Sequence, residues 1–315
     1  MMEEIKFSHV SVLLPECIEN LDIKPNGIYV DGTTGGGGHS LEIVKRLGEG
    51  GRLICIDRDA DALKAAGERL KEYADKITFV HSNYSELGTV LDDLGIAEVD
   101  GVLLDLGVSS YQLDTAERGF SYMQDARLDM RMDRDNKTSA YEVVNEYSED
   151  ELRRILYEYG EEKFARNIAA NIVKRREEKP IETTLELADI IKSSMPKAAR
   201  EGGHHPAKRS FQAIRIEVNT ELANIPPVID AAQTHMAKGG RIAIITFHSL
   251  EDRIVKQKFA SLAEGCICPR ELPICVCNNK PKVKLVNRKP ITASEEELEI
   301  NPRSRSAKLR AVEKV

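Results

Sequence analysis

The chain has 315 residues, 41% of them hydrophobic and 31% charged, with a formal net charge of −7. That length can bury a core without disulfide staples and fits one large domain or two modest ones. No apolar run reaches the roughly 18–20 residues of a membrane span. Met1-Met2-Glu3-Glu4 lacks the basic and apolar stretches of a secretory leader, so a cytoplasmic address with no membrane partner is expected.

The net charge hides a division. Residues 1–162 hold 17 Lys/Arg against 34 Asp/Glu, a balance of −17, whereas residues 163–315 hold 28 against 18, a balance of +10. A polyanionic partner for the second half accounts for this asymmetry, and so does ordinary fluctuation along the chain.

The first third alternates strand and helix signals. Gly27-Ile28-Tyr29-Val30-Asp31 is an apolar run that ends in a glycine turn, and His39 to Leu47 follows with helical spacing. Arg52 to Asp57, Ile77 to Val80 and Val99 to Asp105 are three further runs, separated by helical stretches at Ala60 to Leu70 and Ser85 to Leu94. Continuous apolar strands between helices indicate an α/β fold with a buried, doubly wound parallel sheet. The alternation stops at about Ser109 and returns at Gly239 to Phe247. Between them, Ser148-x-x-Glu151 and Thr183-x-x-Glu186 are capping boxes that open amphipathic helices, and Lys163 to Glu178 is a longer helix. Residues 109–213 are therefore expected to form an inserted all-helical domain, with 1–108 and 214–315 completing the sheet domain. The alternating Ser306 to Val312 is expected to add an edge strand.

The glycine turn Asp31-Gly32-Thr33-Thr34-Gly35-Gly36-Gly37-Gly38-His39 lies between the first strand and the first helix, where a cofactor approaches the backbone. It contains no G-x-G-x-x-G, since that spacing would need glycine at Ser40 or Leu41, so a pyrophosphate-binding dinucleotide site is disfavoured. An acidic residue ahead of such a turn suits S-adenosylmethionine, whose ammonium group wants a carboxylate nearby; a merely flexible loop is the alternative. Asp57 closes the second strand, where a carboxylate can accept both ribose hydroxyls. Its rival role is capping the next helix, for which Asp59 is better placed. Tyr84 follows the third strand and can stack on an adenine or serve ordinary packing. Asp105 closes the fourth strand, on the edge where ligands collect.

These residues, together with Leu103-Leu104-Asp105-Leu106-Gly107-Val108-Ser109-Ser110, Arg118-Gly119-Phe120-Ser121, Leu128-Asp129-Met130-Arg131-Met132-Asp133, Phe211-Gln212-Ala213 and Phe247-His248-Ser249-Leu250-Glu251-Asp252-Arg253, resemble the bacterial ribosomal RNA small subunit methyltransferase H (MraW/RsmH) family. The resemblance runs from His9 to the Asn301-Pro302-Arg303-Ser304-Arg305-Ser306 tail. It implies a class I (Rossmann-like) methyltransferase sheet with an inserted helical substrate-recognition domain. It also implies S-adenosyl-L-methionine as cofactor, and methylation of the exocyclic N4 of one cytidine of 16S rRNA in the small ribosomal subunit. Carried over by position, the cofactor contacts would be Gly37, Gly38, His39, Asp57, Tyr84, Asp105 and Gln112. Asp105 is also the one candidate catalytic residue, as acceptor of an amino proton, although service to the cofactor alone is favoured. Tyr111 or Phe120 could stack the target base, and His248 is a candidate polar neighbour. Two rivals stay open: a class I methyltransferase acting on DNA, protein or a small molecule, and a non-catalytic RNA-binding protein of the same fold. A homodimer is also left open.

Four basic segments are candidates for rRNA phosphates: Lys174-Arg175-Arg176; Lys197, Arg200, Lys208 and Arg209 around a mobile loop at Gly202-Gly203-His204-His205; Lys280 to Lys289; and Arg303, Arg305, Lys308 and Arg310. Cys17 and Cys55 read as buried small hydrophobes. The remaining cysteines form Cys266-x-Cys268-x6-Cys275-x-Cys277, whose two C-x-C arms depart from the usual C-x2-C spacing of zinc sites. Zinc, a redox-labile pair and free thiols all stay open, and no metal is assigned.

Overall fold

The computed structural model describes residues 11–200, 205–269 and 276–315. Met1 to Glu4, His9, Gly202 to His204 and Cys275 lie outside the described residues. The chain forms two compact units, 1–107 with 222–315, and 108–221.

The first unit is built on strands β1 (Ile28–Asp31), β2 (Arg52–Asp57), β3 (Ile77–His81), β4 (Val99–Asp105), β5 (Met236–Thr246), β6 (Val283–Leu285) and β7 (Lys308–Lys314). They hydrogen-bond in the order β3-β2-β1-β4-β5-β7-β6. The first five run parallel, and β7 lies antiparallel to both β5 and β6. This is an open α/β sheet of the doubly wound kind expected, with an antiparallel pair at its C-terminal edge. The C-terminal strand differs from the expectation: β7 is not an edge strand, because β6 pairs along its other side and takes the edge. The short basic Val283-Lys284-Leu285 carries too little alternation to announce itself as a strand.

Successive side chains of a strand point to opposite faces, and both faces of this sheet are covered. Val30, Ile54, Ile56, Val102, Leu104, Ile242 and Ile244 pack against helices Leu87–Asp93, Ile225–His235 and Ser249–Ala263. Tyr29, Leu53, Cys55, Leu103, Ala243 and Ile245 pack on the other face, against helices Leu14–Leu21, Gly38–Val44 and Ala60–Arg69. Burial on both faces explains why these strands read as continuous apolar runs. Cys17 and Cys55 sit inside this second layer, and burial pushes the Cys55 thiol up to about 12.

Among the described residues, the second unit holds helices and one isolated bridge, Arg127 to Thr183, with no strand. Ser148 with Glu151 and Thr183 with Glu186 form reciprocal capping boxes, as their spacing indicates. Ser139 with Glu142 forms another. Helix Ala165–Glu178 covers most of the stretch expected from Lys163. The unit runs on to Glu221 instead of ending at 213, because helix Lys208–Asn219 contributes Phe211, Ala213, Ile214 and Val218 to the insert's own core.

Asn219 fixes a non-repetitive segment to that helix. Its Oδ1 accepts the Met132 N–H at 2.8 Å, and its Nδ2 donates to the Met130 carbonyl at 2.7 Å and the Arg215 carbonyl at 2.9 Å. With Asn219 buried, replacing it leaves backbone groups desolvated and unpaired. Asn219→Ala should destabilise this unit by about 1–3 kcal/mol in denaturant unfolding. An unchanged midpoint would show that water replaces the amide.

Candidate cofactor site

The sheet order reverses between β1 and β4, and ligands of open α/β sheets bind beyond the carboxyl ends of the strands at such a switch. Asp31, Asp57 and Asp105 are the last residues of β1, β2 and β4. In register, Asp31 lies opposite Cys55 and Leu103, so Asp57 and Asp105 reach two residues further on either side. Two-residue periodicity puts all three carboxylates on the face of Tyr29, Cys55 and Leu103.

The glycine turn is stitched to both neighbouring strands. Gly32 N–H donates to the Leu103 carbonyl at 2.9 Å, and Thr34 N–H donates to the Ile56 carbonyl at 3.1 Å. The Thr33 hydroxyl accepts the Asp105 N–H at 2.6 Å, and the Thr34 hydroxyl donates to Ile56 O at 3.1 Å. Asp57 closes the turn: one carboxylate oxygen accepts the Gly35 N–H at 2.7 Å and the other the Asp59 N–H at 2.9 Å. Each oxygen keeps a second lone pair, which a ribose diol could use. Asp59, as expected, caps helix Ala60–Arg69 by accepting the Asp61 N–H.

Gly35 and Gly37 both have positive φ, 50° and 74°, the left-handed region that favours glycine. A Cβ at Gly37 would press on Ala66 and Leu70 at 3.3 Å, and one at Gly38 would overlap the Ser11 hydroxyl. Protein therefore fills the space on those sides, and any contact these glycines make with a ligand falls to their backbone. His39 follows at the start of helix Gly38–Val44. Its Nε2 lies 3.0 Å from the Val12 carbonyl, which can only accept, so that nitrogen carries a proton. Its Nδ1 is 3.8 Å from Asp105 Oδ2.

The electrostatics are those of a site short of positive charge. Burial pushes the Asp31 carboxyl up to about 6, although the Ser40 hydroxyl donates to it at 2.6 Å and Thr33 N–H at 3.2 Å. Burial also raises Asp57. Asp105 is raised well above the usual carboxylate range, by burial first and then by the charges of Asp31 and Glu251. Its side chain is 25% exposed, yet its Oδ1 is buried with no hydrogen-bond partner among the described residues. Crowded carboxylates, one with an orphaned oxygen, fit a cationic ligand with a vicinal diol, the chemistry of S-adenosylmethionine.

Tyr84 is buried, its ring in the core between sheet and helix Leu87–Asp93. Gln112 belongs to the second unit, where its Oε1 accepts the Ser109 N–H and its own N–H donates to Ser109 Oγ, closing a capping box. Phe120 is only 6% exposed and sits in the core of the second unit, so it cannot stack a base without leaving that core. Tyr111, at 52% exposure, keeps that option. His248 is the N-cap residue of helix Ser249–Ala263, where its backbone N–H donates to Glu251 at 3.2 Å and its Nε2 lies 3.2 Å from the same carboxylate. Ser40 and Thr33 were not singled out from sequence; hydroxyl residues next to a strand-ending Asp and its glycine turn are the signal that could have found them.

Two outcomes follow from this geometry. Burial makes the folded chain hold the Asp31 proton more tightly than the unfolded chain does. The resulting stabilisation is present below about pH 4 and is lost as pH rises through about 6. Asp31→Asn should therefore raise the stability of the ligand-free protein at pH 7.5 by up to about 3 kcal/mol, with the gain vanishing near pH 4. Equal unfolding free energies at both pH values would mean that Asp31 is not strained. Asp57→Ala should weaken S-adenosylmethionine binding by about 2–4 kcal/mol in calorimetry, since it removes a charged acceptor and the tie that holds Gly35. Unaltered affinity would exclude Asp57 from the site.

The model of the MraW methylase family matches residues 6–315. Ribosomal RNA small subunit methyltransferase H of Clostridioides difficile (strain 630) is 60% identical over 311 residues, covering 99% of this chain and 100% of that protein. The protein of the same name from Lachnospira eligens is 57% identical over 311 residues, covering 99% of each. With a class I methyltransferase sheet, a cation-seeking rim at its switch point and matches of this extent, the chain belongs to the MraW methylase family.

Proposed function

We propose that this protein transfers a methyl group from S-adenosylmethionine to the exocyclic N4 of a cytidine in 16S rRNA, in the cytoplasm. The observation that carries the reading is the carboxylate rim of buried Asp31 and part-buried Asp57 and Asp105, found in a member of a methylase family whose relatives of 57–60% identity are named for small-subunit ribosomal RNA. Among the described residues no helix is long and apolar enough to cross a membrane.

The cofactor supplies an electrophilic methyl on a sulfonium, and the protein's task is to hold donor and acceptor in line, which can contribute on the order of 7–11 kcal/mol. In this reading Asp57 accepts the ribose hydroxyls while it holds the glycine turn shut. Asp105 offers its orphaned Oδ1 to the ammonium group, and His39, fixed by Val12, limits where the Asp105 carboxylate can go. Tyr84 lines the adenine end, and the backbone of Gly37 and Gly38 lies along the cofactor. A cytosine N4 lone pair is delocalised into the ring, so an acceptor for an amino proton helps the nitrogen attack. Asp105 is the candidate for that as well, but its surroundings favour service to the cofactor.

In this reading the sheet unit binds the cofactor, with Gln112 as a further candidate contact, and the helical unit recognises the substrate. The basic segments do not contribute equally to RNA binding. Arg176 donates to the carbonyls of Val144 and Tyr147, and Arg310 is paired with Asp252 at 2.7 Å. These side chains serve the fold. Lys174, Lys280, Lys282, Arg288 and Lys289 are exposed and remain for phosphates.

Purified protein with labelled S-adenosylmethionine should label cytidine N4 in small-subunit RNA and leave DNA and protein unlabelled. Supplying bare 16S rRNA and assembled subunits separately identifies which form is the substrate. Label in another acceptor would overturn the RNA assignment, and cofactor binding without transfer to any acceptor would overturn the enzymatic one.

A further inference from the structure

The cysteine cluster lies between helix Ser249–Ala263 and β6, and neither the fold nor the proposed reaction uses it. The Sγ atoms of Cys266 and Cys277 stand 3.7 Å apart, and the sulfurs of Cys266, Cys268 and Cys277 all lie within 4.8 Å of one another. A disulfide needs about 2.0 Å, so 3.7 Å is no bond. Four sulfurs around a tetrahedral zinc at about 2.3 Å are separated by about 3.8 Å, and the observed pair matches that edge.

Backbone amides are aimed at the same sulfurs. Ile267 N–H, between Cys266 and Cys268, donates to Cys277 Sγ at 3.4 Å. Val276 N–H, next to Cys277, donates to Cys268 Sγ at 3.4 Å, and Asn279 N–H donates to Cys277 Sγ at 3.5 Å. The two arms thus exchange amide-to-sulfur bonds, and such bonds stabilise negative charge on sulfur as second-shell contacts of metal thiolates do. The base of the loop is held independently. Asn279 Nδ2 donates to the Gly265 carbonyl at 2.6 Å and the Glu264 carbonyl at 3.1 Å, and Lys282 N–H donates to the Leu262 carbonyl at 2.8 Å.

We propose that Cys266, Cys268 and Cys277 bind a structural zinc ion as thiolates. The ion displaces one proton from each thiol and undergoes no redox change. A further donor completes the tetrahedron; Cys275 lies outside the described residues and is not assigned to it. The C-x-C spacing, unusual for zinc, is compatible with a shared ion here because Cys266 and Cys268 are cross-braced to Cys277 by the Ile267 and Val276 amides. The ion would pin the loop that leads into β6 and so fix the exposed Lys280 and Lys282 relative to the sheet edge.

The test uses the full-length protein purified in reducing buffer. Elemental mass spectrometry should find about one zinc per chain, and cobalt substitution should give a thiolate-to-cobalt charge-transfer band. Both signals should be lost in C266S/C268S/C277S. Alkylation mapped by mass spectrometry, which needs no variant, should find these thiols protected until a strong chelator is added. Zinc retained by the triple variant, failure of the wild type to hold added zinc, or equal alkylation with and without chelator would overturn the proposal. A Cys266–Cys277 disulfide in reducing buffer would overturn it in favour of a redox pair.

Discussion

Desolvation of carboxylates at the ends of three neighbouring parallel strands is the constraint on which the rest of this structure turns. Asp31, Asp57 and Asp105 lie on one face of the sheet, each held by groups that also shape the glycine turn. Hydrogen bonds from Ser40, Gly35 and Asp59 keep two of them tolerable, but Asp105 retains an orphaned oxygen. Such an arrangement is costly in the free protein and favourable once a cation arrives, which is why we propose the rim as the cofactor site. Its rigidity has the same origin: the residues that would contact a cofactor are the residues that tie β1, β2 and β4 together.

The helical insert solves a different problem. Its helices have their own apolar core, and capping boxes satisfy the N-termini of the helices that start at 140, 149 and 184. Its irregular stretch before helix Ala140–Glu146 is held by Asn219, whose amide does for residues 130–132 what a strand partner would do. Several of its arginines are bound to carbonyls, Arg176 and Arg209 among them, so basic composition overstates the charge available to a polyanion.

The same lesson holds at the other end of the chain. Arg310 and Lys308 share Asp252, and Lys284 pairs with Glu313, so the antiparallel β7 and its neighbour β6 consume cations that a sequence would offer to RNA. Lys280, Lys282, Arg288 and Lys289, just before and after β6, stay exposed.

What the amino-acid order determined was everything governed by local periodicity and local chemistry. Apolar runs fixed β1 to β5, cap residues fixed the starts of the helices at 149 and 184, and the glycine turn with its strand-ending acids marked the rim. Asp59, rather than Asp57, as helix cap was equally legible, because capping involves only neighbouring residues. Tertiary structure decided what depends on distant partners. It made β7 an interior strand, because only pairing with β6 shows which side of it is covered. It placed Phe120 in a core and His248 on a helix end, and it carried helix Lys208–Asn219 into the insert. It also brought the sulfurs of Cys266, Cys268 and Cys277 within 4.8 Å of one another. Contacts across tens or hundreds of residues are set by packing and burial, and no window of sequence contains them.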